Sequence, residues 1–412
     1  FRSLRPYLDN VVRFLFEPLF SAGYLDTQLD EDYDREVVYK HEELVSSLHM
    51  TGGKATHDAI VWGNGPRKSP KLKIPFTSEL GCVTPWVMTP YTYTPAELLF
   101  QQKVVVDSVN NNASANCNAP KILIVDDTWA QKDEYLTGVN QKLAEYMTIP
   151  AYYPGSADRW QTFRKKYPNA KEILPKGAKD PSRNLSPPSL ASSKDPVVLP
   201  WLIIDIEVDL STKEGLEAAK GEFAFRNEPF CPIITIARVK GIVSREDFCE
   251  KCTKLCKYAV FGSLSATVVV PTKEMKNPAV EKLIDNLHYG AVVVNYWSAI
   301  GYSLKSLVWG AYPGESLENV ESGVGQINNL FFVPHVQKCV LLLPCLGDDM
   351  LLLKDCKTRT HINRVLTDLT LTPSMGAIYE LVKIKVPSIN TIVAVVSFGL
   401  LAVAAGLFLS RA

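Results

Sequence analysis

The apolar positions of this chain change period several times, and each change marks an element. Over residues 7–22, Leu8, Val11, Val12, Leu15, Phe16, Leu19 and Phe20 recur at three- and four-residue spacing. That is the period of an amphipathic helix, with Pro18 to kink it and Gly23 to stop it. Residues 45–50 read as a short strand, followed at once by Thr51-Gly-Gly-Lys54 and a helical stretch through Val61. Helical spacing returns over 96–109, 132–147, 245–258 and 280–287. Aliphatic runs predict strands over 121–126, 198–208, 232–239, 264–270 and 290–295. Residues 161–196, rich in Lys, Ser and Pro, read as a surface excursion. Strands alternating with helices predict an α/β fold with largely parallel sheets.

One apolar run stands outside this alternation. Residues 391–409 hold 19 positions without a charge. As a helix they would extend about 28 Å, close to the thickness of a bilayer core, where a buried core helix would show polar positions. Lys383 and Lys385 precede the run and Arg411 follows it, which places the large domain on the cytosolic side. The chain starts at Phe1 with no signal-peptide pattern after it, so the run reads as a single-pass C-terminal tail anchor.

Composition narrows the classes. A chain of 412 residues holds two domains and a large core. Lys+Arg and Asp+Glu are 44 each, a balance that gives no reason to expect a nucleic-acid partner. Nine cysteines without a regular framework fit a reduced compartment, where Asn112-Ala-Ser and Asn184-Leu-Ser would go unglycosylated. Cys249, Cys252 and Cys256 stand at helical spacing, read as one buried helix face rather than a metal site, since no fourth ligand lies nearby. There is no Walker loop, no Gly-x-Ser-x-Gly elbow and no zinc-protease His pair, and no metal is implied.

The candidate chemistry centres on Cys117. It lies in Asn110-Asn-Asn-Ala-Ser-Ala-Asn-Cys-Asn-Ala-Pro120, an amide-rich run that opens onto a strand. A thiol in such a place either fills space or acts as a nucleophile, with backbone N–H groups turned toward an oxyanion. Glu79, 38 positions earlier (117 − 79), offers a carboxylate to pair with it.

Four segments, in order, resemble the aldehyde dehydrogenase superfamily: Leu48-His-Met-Thr-Gly-Gly-Lys54, Glu79-Leu-Gly-Cys-Val-Thr-Pro85, the Cys117 segment, and Asn227-Glu-Pro-Phe-Cys-Pro232. Tyr289-Gly-Ala-Val-Val-Val-Asn295 and Trp309-Gly-Ala-Tyr-Pro-Gly314 extend the likeness, which runs from about Tyr7 to Val340. The resemblance implies a partial Rossmann-type NAD(P)-binding domain (1–80), an α/β catalytic domain (81–305) and a return segment to the cofactor and oligomerisation region (306–350); beyond it, residues 351–390 read as a linker to the transmembrane helix (391–409). It implies NAD or NADP as cofactor, an aldehyde as substrate and pairing as a homodimer. On it Cys117 is the nucleophile and Glu79 the base that activates water. Gly52 and Gly53 lie at the cofactor pyrophosphate, Glu228 on the nicotinamide ribose, and Phe230 against the same end.

Two departures qualify the resemblance. Ser-Ala-Asn precedes the cysteine where Gly-Gln-Val is commoner, and Gly53 stands where many members have Ser. The family's N-terminal portion, with an asparagine of the oxyanion hole and a lysine on the adenosine ribose, also lies ahead of Phe1. The expected activity is oxidation of an apolar or fatty aldehyde to an acid, with Tyr296 and Trp297 as tunnel walls or core. The alternatives are a CoA-acylating relative and a non-catalytic, membrane-tethered interaction protein derived from this fold.

Overall fold

The computed structural model describes residues 45–63, 67, 69–178, 198–304 and 306–347. The helix expected over 7–22, the Asn184 sequon, the linker and the apolar run 391–409 lie outside them. Among the described residues no helix is long and apolar enough to cross a membrane.

In chain order the first elements are β1 (Leu48–Thr51), α1 (Lys54–Val61), β2 (Phe76–Glu79), β3 (Pro85–Met88), α2 (Pro95–Asn110), β4 (Ile122–Asp126) and α3 (Lys132–Glu145). Then come α4 (Ser156–Lys166), β5 (Lys171–Ile173), β6 (Trp201–Asp209), α5 (Lys213–Lys220), α6 (Phe223–Arg226) and β7 (Ile233–Lys240). The rest are α7 (Arg245–Tyr258), β8 (Ser265–Val269), α8 (Pro278–Asn286), β9 (Ala291–Val294), α9 (Ala299–Ser303), β10 (Val308–Gly310), β11 (Gln326–Asn328) and β12 (Cys339–Leu342).

Eight strands form one sheet in the order β12-β9-β8-β3-β4-β7-β6-β5. Every neighbouring pair is parallel except β5 on β6. The central strands β3, β4 and β8 are buried at every position, as a sheet covered by helices on both faces requires. Trp86, Val87 and Met88 fill the middle of that core. Helix ends follow their local chemistry. Thr94 and Glu97 form a reciprocal capping box ahead of Pro95, so α2 starts there. Ser244 caps α7 through the Asp247 N–H, and Asn277 caps α8 ahead of Pro278. Cys249, Cys252 and Cys256 lie buried with Phe248 and Leu255 along one face of α7.

A smaller unit stands apart from the large sheet. β1 and β2 pair in parallel, and with α1 they enclose a second cluster of Met50, Ile60, Val61, Trp62, Leu72, Phe76, Leu80 and Val320. Val320 comes from the late segment, which runs back alongside β2: Ser78 and Val324 exchange backbone hydrogen bonds at 2.8 and 3.1 Å. The Glu315 carboxylate fixes that segment by accepting the N–H groups of Glu321, Ser322 and Gly323 at 2.7–2.9 Å. Beyond it β12 joins the edge of the large sheet, so the return segment belongs to both units.

The surface excursion expected over 161–196 begins later than its composition suggests. Helix α4 occupies its first part and β5 adds a strand to the sheet edge. Trp160 and Phe163, three residues apart, are buried beneath the basic last turn Arg164-Lys165-Lys166. Those cations suit a helix C-terminus and hid the apolar face from a compositional reading. Strands β2 and β3 leave no strand signal in the sequence, because neither Phe-Thr-Ser-Glu nor Pro-Trp-Val-Met is an aliphatic run.

Candidate active site

Three connectors deliver the candidate residues to one place. Glu79 lies six residues before β3, Cys117 five before β4, and Glu228 five before β7 (85 − 79, 122 − 117, 233 − 228). β4 lies between β3 and β7 in the sheet and is parallel to both. Residues distant in sequence therefore arrive together at the N-terminal ends of three adjacent strands. Sheets of this kind more often hold their ligands at the opposite ends.

The Cys117 thiol donates to Glu79 Oε1 at 3.3 Å. Glu79 is buried, while Cys117 keeps partial exposure. Burial pushes the Cys117 thiol well above its ordinary range, and the charges of Glu79 and then Glu228 push it further. At neutral pH the sulfur therefore holds its proton and aims it at a carboxylate. A thiol in that state reacts only once its proton has left.

The loop before the thiol is unusual. Asn112, Ala113 and Ser114 have φ of 53°, 50° and 62°, three consecutive non-glycine residues in the left-handed region. Such conformations cost on the order of 1 kcal/mol or more each and persist only when surroundings impose them. Here Asn112 donates to Asn116 Oδ1 at 2.8 Å, and Asn116 donates to Asn111 Oδ1 at 2.9 Å. The amides that the sequence places around Cys117 thus hold the loop itself. Thr84 Oγ1 ties down the Cys117 carbonyl at 2.8 Å.

Lys121 is the residue that sequence reasoning missed. It is buried at the mouth of β4, and its ammonium donates to the Ser114 carbonyl and, at 3.0 Å, to Ser114 Oγ. It also lies 5.5 Å from the centre of the Phe230 ring. Burial depresses its pKa while the carboxylate of Glu228 opposes that shift. Glu228 mirrors it: burial raises its pKa, and Lys121 and then the Cys82 backbone amide pull it down. A lone lysine opening an otherwise aliphatic strand was the available signal.

Glu228 is seated on the turn that follows Glu79. A Cβ added at Gly81 would fall 2.1 Å from Glu228 Oε2, so only glycine permits that approach. Glu228 Oε1 is buried without a hydrogen-bond partner. Phe230 adopts φ 48° and packs edge-on to Tyr153 at 4.7 Å. Arg159, on α4, holds that turn through the Pro229 carbonyl at 2.8 Å and the Phe230 carbonyl at 3.4 Å. Of the two expected tunnel aromatics, Trp297 donates to the Asn118 carbonyl at 2.9 Å, next to the thiol. Tyr296 instead packs against Phe100 in the core.

Gly52 and Gly53 lie one strand away. The Gly52 N–H is taken by the Glu79 carbonyl at 3.0 Å, which links the glycine turn to the candidate base. Gly53 occupies the N-cap of α1, and nothing lies within 4 Å of where its Cβ would stand.

Comparison with solved structures places this architecture. Over 79% of this chain it superposes on 60% of the substrate-bound AldH of Staphylococcus aureus, with a TM-score of 0.52 at 14% identity. Over 72% it superposes on 51% of the gamma-glutamyl-gamma-aminobutyraldehyde dehydrogenase of Burkholderia cenocepacia J2315, with a TM-score of 0.51 at 14% identity. The fold is that of the aldehyde dehydrogenases. Gox0499 is a third structure of similar shape, with a TM-score of 0.50 at 18% identity over 76% of this chain and 60% of that one. The chain spans about half the length of the aldehyde dehydrogenase structures it first matches. No family model matches the sequence, and no curated protein does.

Proposed function

We propose that this chain carries the thiol chemistry of an NAD(P)-dependent aldehyde dehydrogenase. The observation that carries the reading is the Cys117 to Glu79 hydrogen bond, made across 38 positions at the mouths of adjacent parallel strands. The Cys117 sulfur gives up its proton to solvent and adds to the aldehyde carbon, giving the oxyanion of a thiohemiacetal. NAD(P), when bound, accepts the hydride that leaves this carbon, and a thioester remains on Cys117. Glu79 then takes a proton from the water that hydrolyses the thioester, which releases the carboxylic acid.

The residues present fit such a cofactor in two respects. The unpartnered Glu228 Oε1 is an acceptor that ribose hydroxyls would satisfy, and Gly53 leaves open space at the N-terminus of α1. Phe230 borders the same end. An apolar or fatty aldehyde is the proposed substrate, with Trp297 at the wall and residues 391–409 as a membrane tail anchor that holds the large domain on the cytosolic side. Pairing of two copies belongs to the same proposal. One observation favours a non-catalytic, membrane-tethered role instead: the Glu228 charge is already met inside the protein by Lys121.

Single-turnover assays of the full chain with a long-chain aldehyde separate the two roles. Cys117→Ala should form no NAD(P)H. Glu79→Gln should accumulate an acyl adduct on Cys117, visible by mass spectrometry. Wild-type turnover in Cys117→Ala would refute the mechanism, and wild-type product release in Glu79→Gln would remove the base role.

A further inference from the structure

The segment that closes the large sheet ends in an apolar tip with no role in the chemistry above. Between β11 and β12, Leu330, Phe331, Phe332 and Val333 are 64%, 70%, 87% and 50% exposed. Four consecutive exposed apolar residues are more than the scattered ones that any surface carries. The loop is built to hold them outward. Asn329 accepts the Val333 N–H through Oδ1 at 2.8 Å and donates through Nδ2 to the Val333 carbonyl at 2.9 Å. The Phe332 N–H bonds the Asn329 carbonyl at 2.9 Å. At the base, Gln326 donates to the Val336 carbonyl at 3.1 Å, and Lys338 caps the end of α8 through the carbonyls of Ile284, Asp285 and Leu287.

The chemistry around the tip points to one occupant. Residues 326–347 contain no Asp or Glu, so nothing in the segment repels anionic headgroups. Beyond the tip, β12 forms the sheet edge and exposes Val340 and Leu342, and Leu346 after it is exposed as well. Asp348 and Asp349 end this acid-free stretch, and 43 residues separate Gly347 from the uncharged run 391–409 (390 − 347). Aromatic and aliphatic side chains on a pinned loop, free of acid and ahead of an apolar run, match what seats in the interfacial layer of a bilayer.

We propose that the 330–333 tip inserts into the lipid interface and sets how the folded domain sits on the membrane. The proposal rests on the reading of residues 391–409 as an anchor. Anchoring fixes the distance from the bilayer, and the tip fixes the face presented to it. An aldehyde dissolved in the lipid would then meet the same side of the protein each time.

The test uses the full chain in phosphatidylcholine/phosphatidylserine vesicles with brominated acyl chains. Sedimentation reports the anchor; quenching of tryptophan reports the tip. Phe332→Trp adds one indole to seven native ones, so the quenched fraction should rise by about one part in eight over wild type. Adding Phe331→Asp beside it should return quenching to the wild-type level, and neither exposed site should disturb folding. Sedimentation without the extra quenching overturns the tip and leaves the anchor standing. A blue shift of the indole added by Phe332→Trp that depends on protein concentration and not on lipid overturns it in favour of a second copy. Failure to sediment at all overturns the anchor reading, and the tip proposal with it.

Discussion

Gly81→Ala is the sharpest single perturbation of the site. The new methyl group would lie 2.1 Å from Glu228 Oε2 and 3.1 Å from its Cδ, against an ordinary contact of 3.4 Å or more. The carboxylate must retreat by over an ångström, and its other oxygen, Oε1, is already enclosed. Overpacking of this kind costs about 1–3 kcal/mol. Loosening the contact with the Cys82 amide adds about 1 kcal/mol, so urea unfolding should show a loss of about 2–4 kcal/mol. The clash claim is isolated by a double-mutant cycle. In a Glu228→Ala background the methyl meets no carboxylate. Because Gly81 does not use the left-handed region, alanine there should be neutral or gain about 0.4–1 kcal/mol by restricting the unfolded chain. The expected coupling is therefore about 3 kcal/mol. Equal costs in both backgrounds, within about 0.5 kcal/mol, would refute the seating of Glu228 on this turn.

Two further outcomes follow from the charges. Glu79→Gln removes a negative charge that suppresses the thiolate of Cys117, so iodoacetamide should label that cysteine several-fold faster even as turnover falls; slower labelling, read by peptide mass spectrometry, would contradict the electrostatics. Asp127 is bonded by Lys132 at 2.8 Å and Arg238 at 2.9 Å, which together hold its carboxyl below the usual range. A depressed acid stabilises the fold above its unfolded pKa and loses that contribution as pH falls through the folded value. Asp127→Asn should thus cost about 1 kcal/mol at pH 7 and nothing measurable near pH 2, in unfolding curves taken at both.

The legible parts of the site were those whose signal is local. Cys117 before an aliphatic strand, Glu79 before a proline, and Glu228 in a Pro-Phe turn each announce themselves within ten residues. The aliphatic runs likewise predict β4, β6, β7, β8 and β9. What stayed hidden depends on partners far along the chain. Gly81 must be glycine because of Glu228, 147 positions later (228 − 81). Lys121 matters through Ser114 and Glu228, and its place before an aliphatic strand marks it without naming those partners. Strand β12 gains its place from pairing with β9 and not from its own pattern.

The arrival of the site at the N-terminal ends of its strands has an electrical consequence. At that end of an α/β sheet the preceding helices finish rather than begin. Helix α2 stops at Asn110, so it turns its carbonyl end and not its N–H end toward the loop that carries Cys117. With Glu79 foremost, and Glu228 adding what Lys121 leaves unbalanced, that end sets a negative field at the Cys117 sulfur. Such a field protects a thiol, since peroxides and other oxidants attack the thiolate. It also gives the site a preference: a positively charged ring entering it would be drawn in and would ease the proton off the sulfur in the same motion. The resting protein would then keep its reagent sealed, and occupancy itself would open it.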